Sequence, residues 1–333
     1  MPLNAPQSAG EYWSWRVSMT GTYPFMGKFD WTLQTYLYLK DRGFPCELAT
    51  AEPSEGIVVA HKDFMDNIQR PTQSTLLVCL KADRWPHRYA QVHIVQNQED
   101  RVHIIQEQLV ESFFMPHWVQ PLLVPRAVER GERFENIGYV GSHLELDSSF
   151  QKPSWHETLK VMGLNWVMAA ASDMWSDFSV LDALVAIRKC GSASGEFNFK
   201  PATKLYNAWH AGMPAILGVE SAYRAERRSE LDYLEADSTE EVIRTLERLR
   251  GDSELRKKMV LNGRIRALET RPENIVKIWE DFLTNVAISA YHRWRGSRWV
   301  RRRYYTRCLV RRGLSRIRRR ITKDPRYSFS HGY

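Results

Sequence analysis

Two lysines four residues apart, Lys200 and Lys204, stand where a short helix is predicted to begin. They open the string Lys200-Pro-Ala-Thr-Lys204-Leu-Tyr-Asn-Ala-Trp-His-Ala-Gly212-Met-Pro214-Ala-Ile-Leu-Gly218-Val-Glu220. Pro201 suits the first helical position, where its missing N–H costs nothing. Leu205, Ala208 and Trp209 share one face, Gly212 supplies a left-handed C-terminal cap, and Pro214 stops the helix. Ala215-Ile-Leu-Gly218 reads as a short buried parallel strand. A helix start presents unpaired N–H groups and the positive end of a dipole, and two ammonium groups beside it make a place for an anion, most economically a phosphate.

Arg188 follows the predicted strand Ala183–Ile187, at the carboxyl edge where ligands of open α/β sheets sit. With Lys204 it could neutralise a diphosphate, the guanidinium as a fork and the ammonium as a point charge. The plainer alternative is a solvated surface pair, and Lys200 could simply face water. Glu220, after the next strand, could accept two hydroxyl donors or could cap the helix starting near Ser221. Ser221 and Tyr223, on the same turn, could offer N–H groups to a phosphate, although Tyr223 equally suits packing. Gly141-Ser142, closing the strand Ile137–Val140, permit a close backbone approach to a phosphate or make an ordinary turn.

The elements that must carry these groups alternate in the manner of α/β proteins. In the first half, Trp13–Met19 reads as a strand, followed by a loop containing Gly21 and Gly27. Asp30 is placed to cap a helix running through Leu33 and Leu37 to Gly43, and apolar runs follow at 57–60, 75–80 and 92–95. In the second half, Ser154-Trp-His-Glu157 and Ser238-Thr-Glu-Glu241 match capping boxes. Trp166–Ala170 reads as a strand. Val242, Leu246 and Leu249 line a helix ending at Gly251, and Asp252 opens the next. These readings predict domains at 1–130 and 131–272, a closing helix at 273–290 and a tail at 291–333.

The pattern K-P-x-x-K-L-Y-N-A-x-x-A-G-x-P-A-I-L-G-x-E resembles the donor-binding segment of GT-B glycosyltransferases, over about Phe134 to Leu268. The resemblance implies two Rossmann-like α/β domains facing a cleft. It implies transfer of a sugar from a nucleotide-diphosphate donor to an acceptor hydroxyl, with no cofactor beyond that co-substrate. By the resemblance, Glu220 would accept hydrogen bonds from the ribose or the donor sugar. Inverting members place an Asp, Glu or His of the first domain at the cleft as base, and Asp30, His93 and Asp100 are the candidates. Asp30 equally suits a helix cap, and His93 a core position on a strand. Retaining members bracket the donor helix with two glutamates; here Lys200-Pro201 or a misspaced Glu196 stands at the earlier position, which leaves the stereochemistry open. No Asp-x-Asp is present to hold a metal-bound diphosphate, in line with the metal-independent habit of the group. The loop around Gly21 and Gly27 has no G-x-G-x-x-G, which argues against a dinucleotide-dependent dehydrogenase.

At 333 residues the chain is long enough for two cores, and 43% hydrophobic with 26% charged residues is ordinary for a globular protein. No apolar run approaches the roughly 20 residues of a spanning helix. The first ten residues lack the features of a secretion signal. The separated cysteines at 46, 79, 190 and 308 read as reduced cytosolic thiols. The net charge of +8 conceals a division. From Tyr291 onward fourteen Arg and one Lys oppose one Asp, giving +14, so residues 1–290 carry −6. The tail interleaves Trp294, Trp299, Arg301, Arg302 and Arg303. Further on, a stripe of Val310, Leu314, Ile317 and Ile321 runs among Arg311, Arg312 and their neighbours. Apolar stripe and cations together suit an anionic membrane surface, predicting a cytoplasmic, peripherally membrane-associated protein with a lipid-linked or cell-surface glycan as acceptor. The alternatives are a nucleic-acid-binding arm, a solvated tail, and a non-catalytic sugar-nucleotide or glycan-binding protein of the same fold.

Overall fold

The computed structural model describes residues 5–19, 27–65, 70–100, 111–169, 174–191 and 196–322, with side chains described as far as residue 310. The expected loop around Gly21 lies outside these residues, as do Ala170 and the side chains of Arg311, Arg312, Leu314 and Ile317. The chain divides into two compact units. The larger comprises 1–47, 96–99 and 115–279, the smaller 48–95, 100–114 and 280–333. Residues 1–47 thus group in one unit with the second sheet of the chain, whereas the sequence places them in a domain with the first.

The larger unit opens with three short helices, α1 (Tyr12–Ser18), α2 (Gly27–Trp31) and α3 (Leu33–Asp41). The strand expected over Trp13–Met19 is therefore a helix. Trp13, Trp15, Val17 and Met19 fit a period of two, but Tyr12, Trp15 and Arg16 also fit a helical face, and tertiary contacts favour the helix. Tyr12 and Trp15 pack with Phe29, Leu33 and Leu37. Arg16 forks onto Asp30 (Nε to Oδ1 2.7 Å, Nη2 to Oδ2 3.2 Å), and Tyr12 donates to Asp30 Oδ1 at 2.6 Å. Asp30 lies inside α2 rather than capping a helix, and its carboxylate ties α1 to α2. Trp118 donates to Thr35 Oγ1 at 2.9 Å, fastening α3 to the same unit.

The smaller unit holds a parallel sheet in the order β1 (Gly56–His61), β2 (Thr75–Leu80), β3 (Val92–Val95), β4 (Glu111–Phe114). Its interior strands β2 and β3 are buried along their whole length, as a parallel strand covered on both faces requires.

The second sheet, in the larger unit, has the order β6-β5-β7-β8-β9, all parallel, with β5 at Asn136–Val140, β6 at Asn165–Ala169, β7 at Ala183–Ala186, β8 at Ala215–Leu217 and β9 at Leu234–Glu235. From β5 the chain moves outward to β6, then returns to place β7 on the other side. That reversal puts the topological switch point between the carboxyl ends of β5 and β7, where such sheets bind ligands. Asp182, just before β7, pins the start of β5 by accepting from the backbone N–H groups of Glu135 and Asn136, each at 2.9 Å.

The helices of this unit are α4 (Pro153–Val161), α5 (Thr203–Ala211), α6 (Ser221–Glu226), α7 (Thr239–Gly251), α8 (Ser253–Ala267) and α9 (Pro272–Asp281). Ser238 caps α7 by accepting from the Glu241 N–H at 3.2 Å, and Asp252 caps α8 through Leu255. The box expected at Ser154 does not form. Pro153 occupies the first turn and Lys152 is the N-cap without a side-chain bond.

The chain ends in the smaller unit with α10 (Ile288–Gly296) and α11 (Arg298–Thr322). Trp294, expected at a membrane surface, is instead 2% exposed and donates to Thr72 O at 2.8 Å. Arg301 donates to the Trp294 and Arg295 carbonyls, supplying partners to the end of α10. Trp299, Arg302 and Arg303 are exposed. Among the described residues no helix is long and apolar enough to cross a membrane.

Candidate functional site

Three loops and one helix start converge at the switch point. β5 ends at Val140 and turns through Gly141 and Ser142 into a single 3-10 turn, His143–Glu145. β7 ends at Ala186 and leads through Ile187 to Arg188. β8 leads through Gly218 to Glu220 and α6. α5 begins at Thr203, two residues beyond the expected start at Pro201, and Gly212 ends it in the left-handed conformation at φ 70°.

Arg188 is the hub. Its Nε donates to Glu220 Oε2 at 3.0 Å and its Nη1 binds Glu145 Oε2. Lys200 Nζ holds the other oxygen of Glu145 at 2.9 Å. Lys204 Nζ donates to Val140 O at 2.8 Å and lies 4.3 Å from the centre of the Tyr139 ring, a cation–π distance. Gly141 sits at φ 140°, and a Cβ there would come 2.6 Å from Lys204 Nζ. The position therefore needs glycine both for its backbone conformation and for the ammonium passing beside it.

The electrostatics are those of a partly desolvated charge cluster. Burial, then the neighbouring Arg188 guanidinium, lower the Lys204 ammonium to about 7. Burial raises the Glu220 carboxyl against the pull of Arg188. Burial also opposes ionisation of Glu145, but Arg188 and Lys200 outweigh it and hold that carboxyl below its usual range. Glu220 Oε1 has no hydrogen-bond partner among the described residues. Glu220 is the N-cap residue of α6, as one reading of the sequence has it, but its side chain makes no capping hydrogen bond there and turns to Arg188 instead.

Of the residues singled out in the sequence, Arg188, Lys200, Lys204, Glu220, Gly141 and Ser142 thus lie together. Ser142 Oγ accepts from the Leu144 N–H at 3.3 Å and closes the turn. Ser221 Oγ accepts from Asn97 Nδ2 at 2.9 Å, and Tyr223 is fully buried, its ring beside Tyr233 and its hydroxyl an electrostatic neighbour of Arg188.

The three base candidates are not brought together. Asp30 belongs to the larger unit and His93 and Asp100 to the smaller. Asp30 holds Arg16 and Tyr12, His93 Nε2 lies 3.1 Å from His87 O, and Asp100 accepts from Lys81 Nζ at 2.8 Å.

Sequence reasoning missed Glu145, Tyr139 and Asn97. Glu145 carries no local signal beyond following the Gly141-Ser142 turn. Asn97, which also donates to Lys200 O at 3.1 Å, is more than a hundred residues from its partners.

No protein-family model matches the chain, and no curated protein matches it in sequence. Among solved structures, sucrose-phosphate synthase from Thermosynechococcus elongatus is similar with a TM-score of 0.52 at 12% identity, over 80% of this chain and 81% of that one. HepE of Anabaena, in complex with UDP-glucose, gives 0.49 at 11% identity over 86% and 98%. WaaG, a glycosyltransferase involved in lipopolysaccharide biosynthesis, gives 0.42 at 14% identity over 63% and 78%. The fold is that of the GT-B glycosyltransferases, with one parallel sheet in each unit.

Proposed function

We propose that this chain transfers a sugar from a nucleotide-diphosphate donor to an acceptor hydroxyl, without a metal ion. The observation that carries the reading is the convergence of Arg188, Lys200 and Lys204 on the carboxyl edge of the second sheet, at its switch point. Three cationic groups, beside the turn at Gly141 and the N-terminus of α5, suit the two phosphates of a leaving nucleoside diphosphate. In the transfer the acceptor oxygen bonds the anomeric carbon as the bond from that carbon to the diphosphate oxygen breaks. The acceptor proton passes to a base, and the negative charge growing on the diphosphate is met by these cations. Glu220, with one carboxylate oxygen on Arg188 and the other unpartnered among the described residues, is placed to accept a hydroxyl of the donor.

A thermal-shift screen of sugar nucleotides is expected to raise the melting temperature with at least one of them, following RT ln(1 + [L]/Kd). That donor is then expected to release nucleoside diphosphate in the presence of EDTA as well as in its absence. Binding without release on any acceptor would make the protein a non-catalytic binder. A requirement for added divalent cation would remove the metal-independent part of the reading.

We further propose that α11 attaches the protein to an anionic membrane at the cytoplasmic face, which suits a lipid-linked or cell-surface glycan acceptor. Trp299 is 77% exposed, with Val300, Leu309 and Val310 also exposed on the helix beside Arg302 and Arg303, and each basic residue near such a surface contributes about 1 kcal/mol. The full chain is expected to sediment with phosphatidylserine vesicles and not with phosphatidylcholine ones. The triple variant W299A/R302E/R303E is expected to bind at least about tenfold more weakly. Salt-sensitive binding to duplex DNA with no retention on either vesicle would instead make the tail a nucleic-acid arm.

A further inference from the structure

Glu145 holds the donors that an incoming diphosphate would need. One of its oxygens takes Arg188 Nη1 and the other takes Lys200 Nζ at 2.9 Å. A carboxylate bridging a guanidinium and an ammonium offers the same charge-assisted hydrogen bonds as two oxygens of a phosphate group, and the same N–H groups cannot serve both. The second carboxylate of the cluster differs in kind. The Glu220 side chain is 2% exposed and is held between strand end and helix, whereas that of Glu145 is 38% exposed on a three-residue turn next to Leu144, itself 82% exposed. Rotating the Glu145 side chain into water moves no buried element.

The charges follow the same logic. With Glu145 in place, the cations Arg188 and Lys200 face two carboxylates, and the cluster attracts a further anion weakly. With Glu145 turned outward, one carboxylate fewer opposes Arg188, Lys200 and the Lys204 amine, and the pocket becomes more cationic. We propose that Glu145 is an internal competitor for the anion site, binding Arg188 and Lys200 in place of a diphosphate and swinging into solvent when one enters. The inference rests on the reading of this cluster as a diphosphate site. It gives the turn after β5 a definite task, which is to set the affinity of the site and to ease release of the nucleoside diphosphate product.

The test is isothermal titration of the full chain with sodium pyrophosphate and with UDP, comparing wild type with E145Q and E145A. Both substitutions are expected to tighten pyrophosphate binding by about tenfold or more, the scale of one charge-assisted contact released from competition. A gain of affinity is a readout that a merely structural role for Glu145 would not produce. Wild-type binding with variants that bind equally or more weakly would overturn the competitor and leave the diphosphate site standing. Absence of binding of either probe to wild type and both variants would overturn the diphosphate reading and the competitor with it.

Discussion

Lys204→Met is expected to lower sugar transfer by about 10²–10³-fold, the cost of removing one preorganised donor from a developing oxyanion, while flattening the dependence of the protein's own stability on pH. The second effect follows from the depressed amine. In the native chain Lys204 titrates at about 7, whereas in the unfolded chain it titrates near its ordinary 10.5. Between those values the unfolded state binds more protons than the native state, so native stability rises as pH rises across that window. Below pH 7 the ammonium is charged in both states, and the full cost of desolvating it, beside Arg188 and Lys200 and only partly offset by Glu145 and Glu220, remains in force. Urea denaturation of both proteins from pH 6 to 10 measures this directly. The wild type should gain stability relative to Lys204→Met as pH rises from about 7 toward 10. A difference that stays level over that range would place the amine outside the charge cluster. A bound diphosphate should hold the amine protonated, so that binding near pH 8.5 takes up a proton and weakens as pH rises further. Titrations in buffers of different ionisation enthalpy read that uptake.

The second sheet and the helices around it are legible in the sequence because their signals are local. Gly212 must adopt a left-handed conformation and does so, Pro214 ends the helix, and Ser238 and Asp252 cap the helices that follow them. Arg188 and Glu220 were found because the end of a short apolar strand fixes the carboxyl edge of a parallel sheet. What was hidden depends on contacts distant in sequence. The helical state of Tyr12–Ser18 is decided by Asp30 and Phe29, against a period-two pattern that looked equally good. The grouping of 1–47 with the unit of the second sheet rests on bonds such as Trp118 to Thr35. Trp294 stands among arginines, which in the sequence suits a membrane surface, yet Thr72, 222 residues earlier, accepts its indole N–H. Glu145 belongs to the same class of omission. A glutamate in a polar turn has no distinguishing pattern until the fold brings Arg188 and Lys200 to it.

The hub residue gives the largest expected loss of stability. Arg188→Ala should destabilise the larger unit by about 3–5 kcal/mol, the usual cost of leaving one partner of a buried ion pair behind. Its side chain is 9% exposed and that of Glu220 2% exposed, so water does not readily replace the guanidinium around Glu220. The loss should itself depend on pH. Burial already raises the Glu220 carboxyl in the wild type, and removing Arg188 raises it further. A carboxyl whose native pKa lies above its unfolded value favours the native state at low pH and loses that contribution as pH rises through the native pKa. Arg188→Ala should therefore be least impaired in acid and most impaired near neutrality. Combining it with Glu220→Gln removes the stranded charge, and the double variant should be more stable near pH 7 than Arg188→Ala alone, a coupling that a double-mutant cycle isolates. Strict additivity of the two substitutions would show that Arg188 is held by other contacts, and that Glu220 does not depend on it for its place in the site.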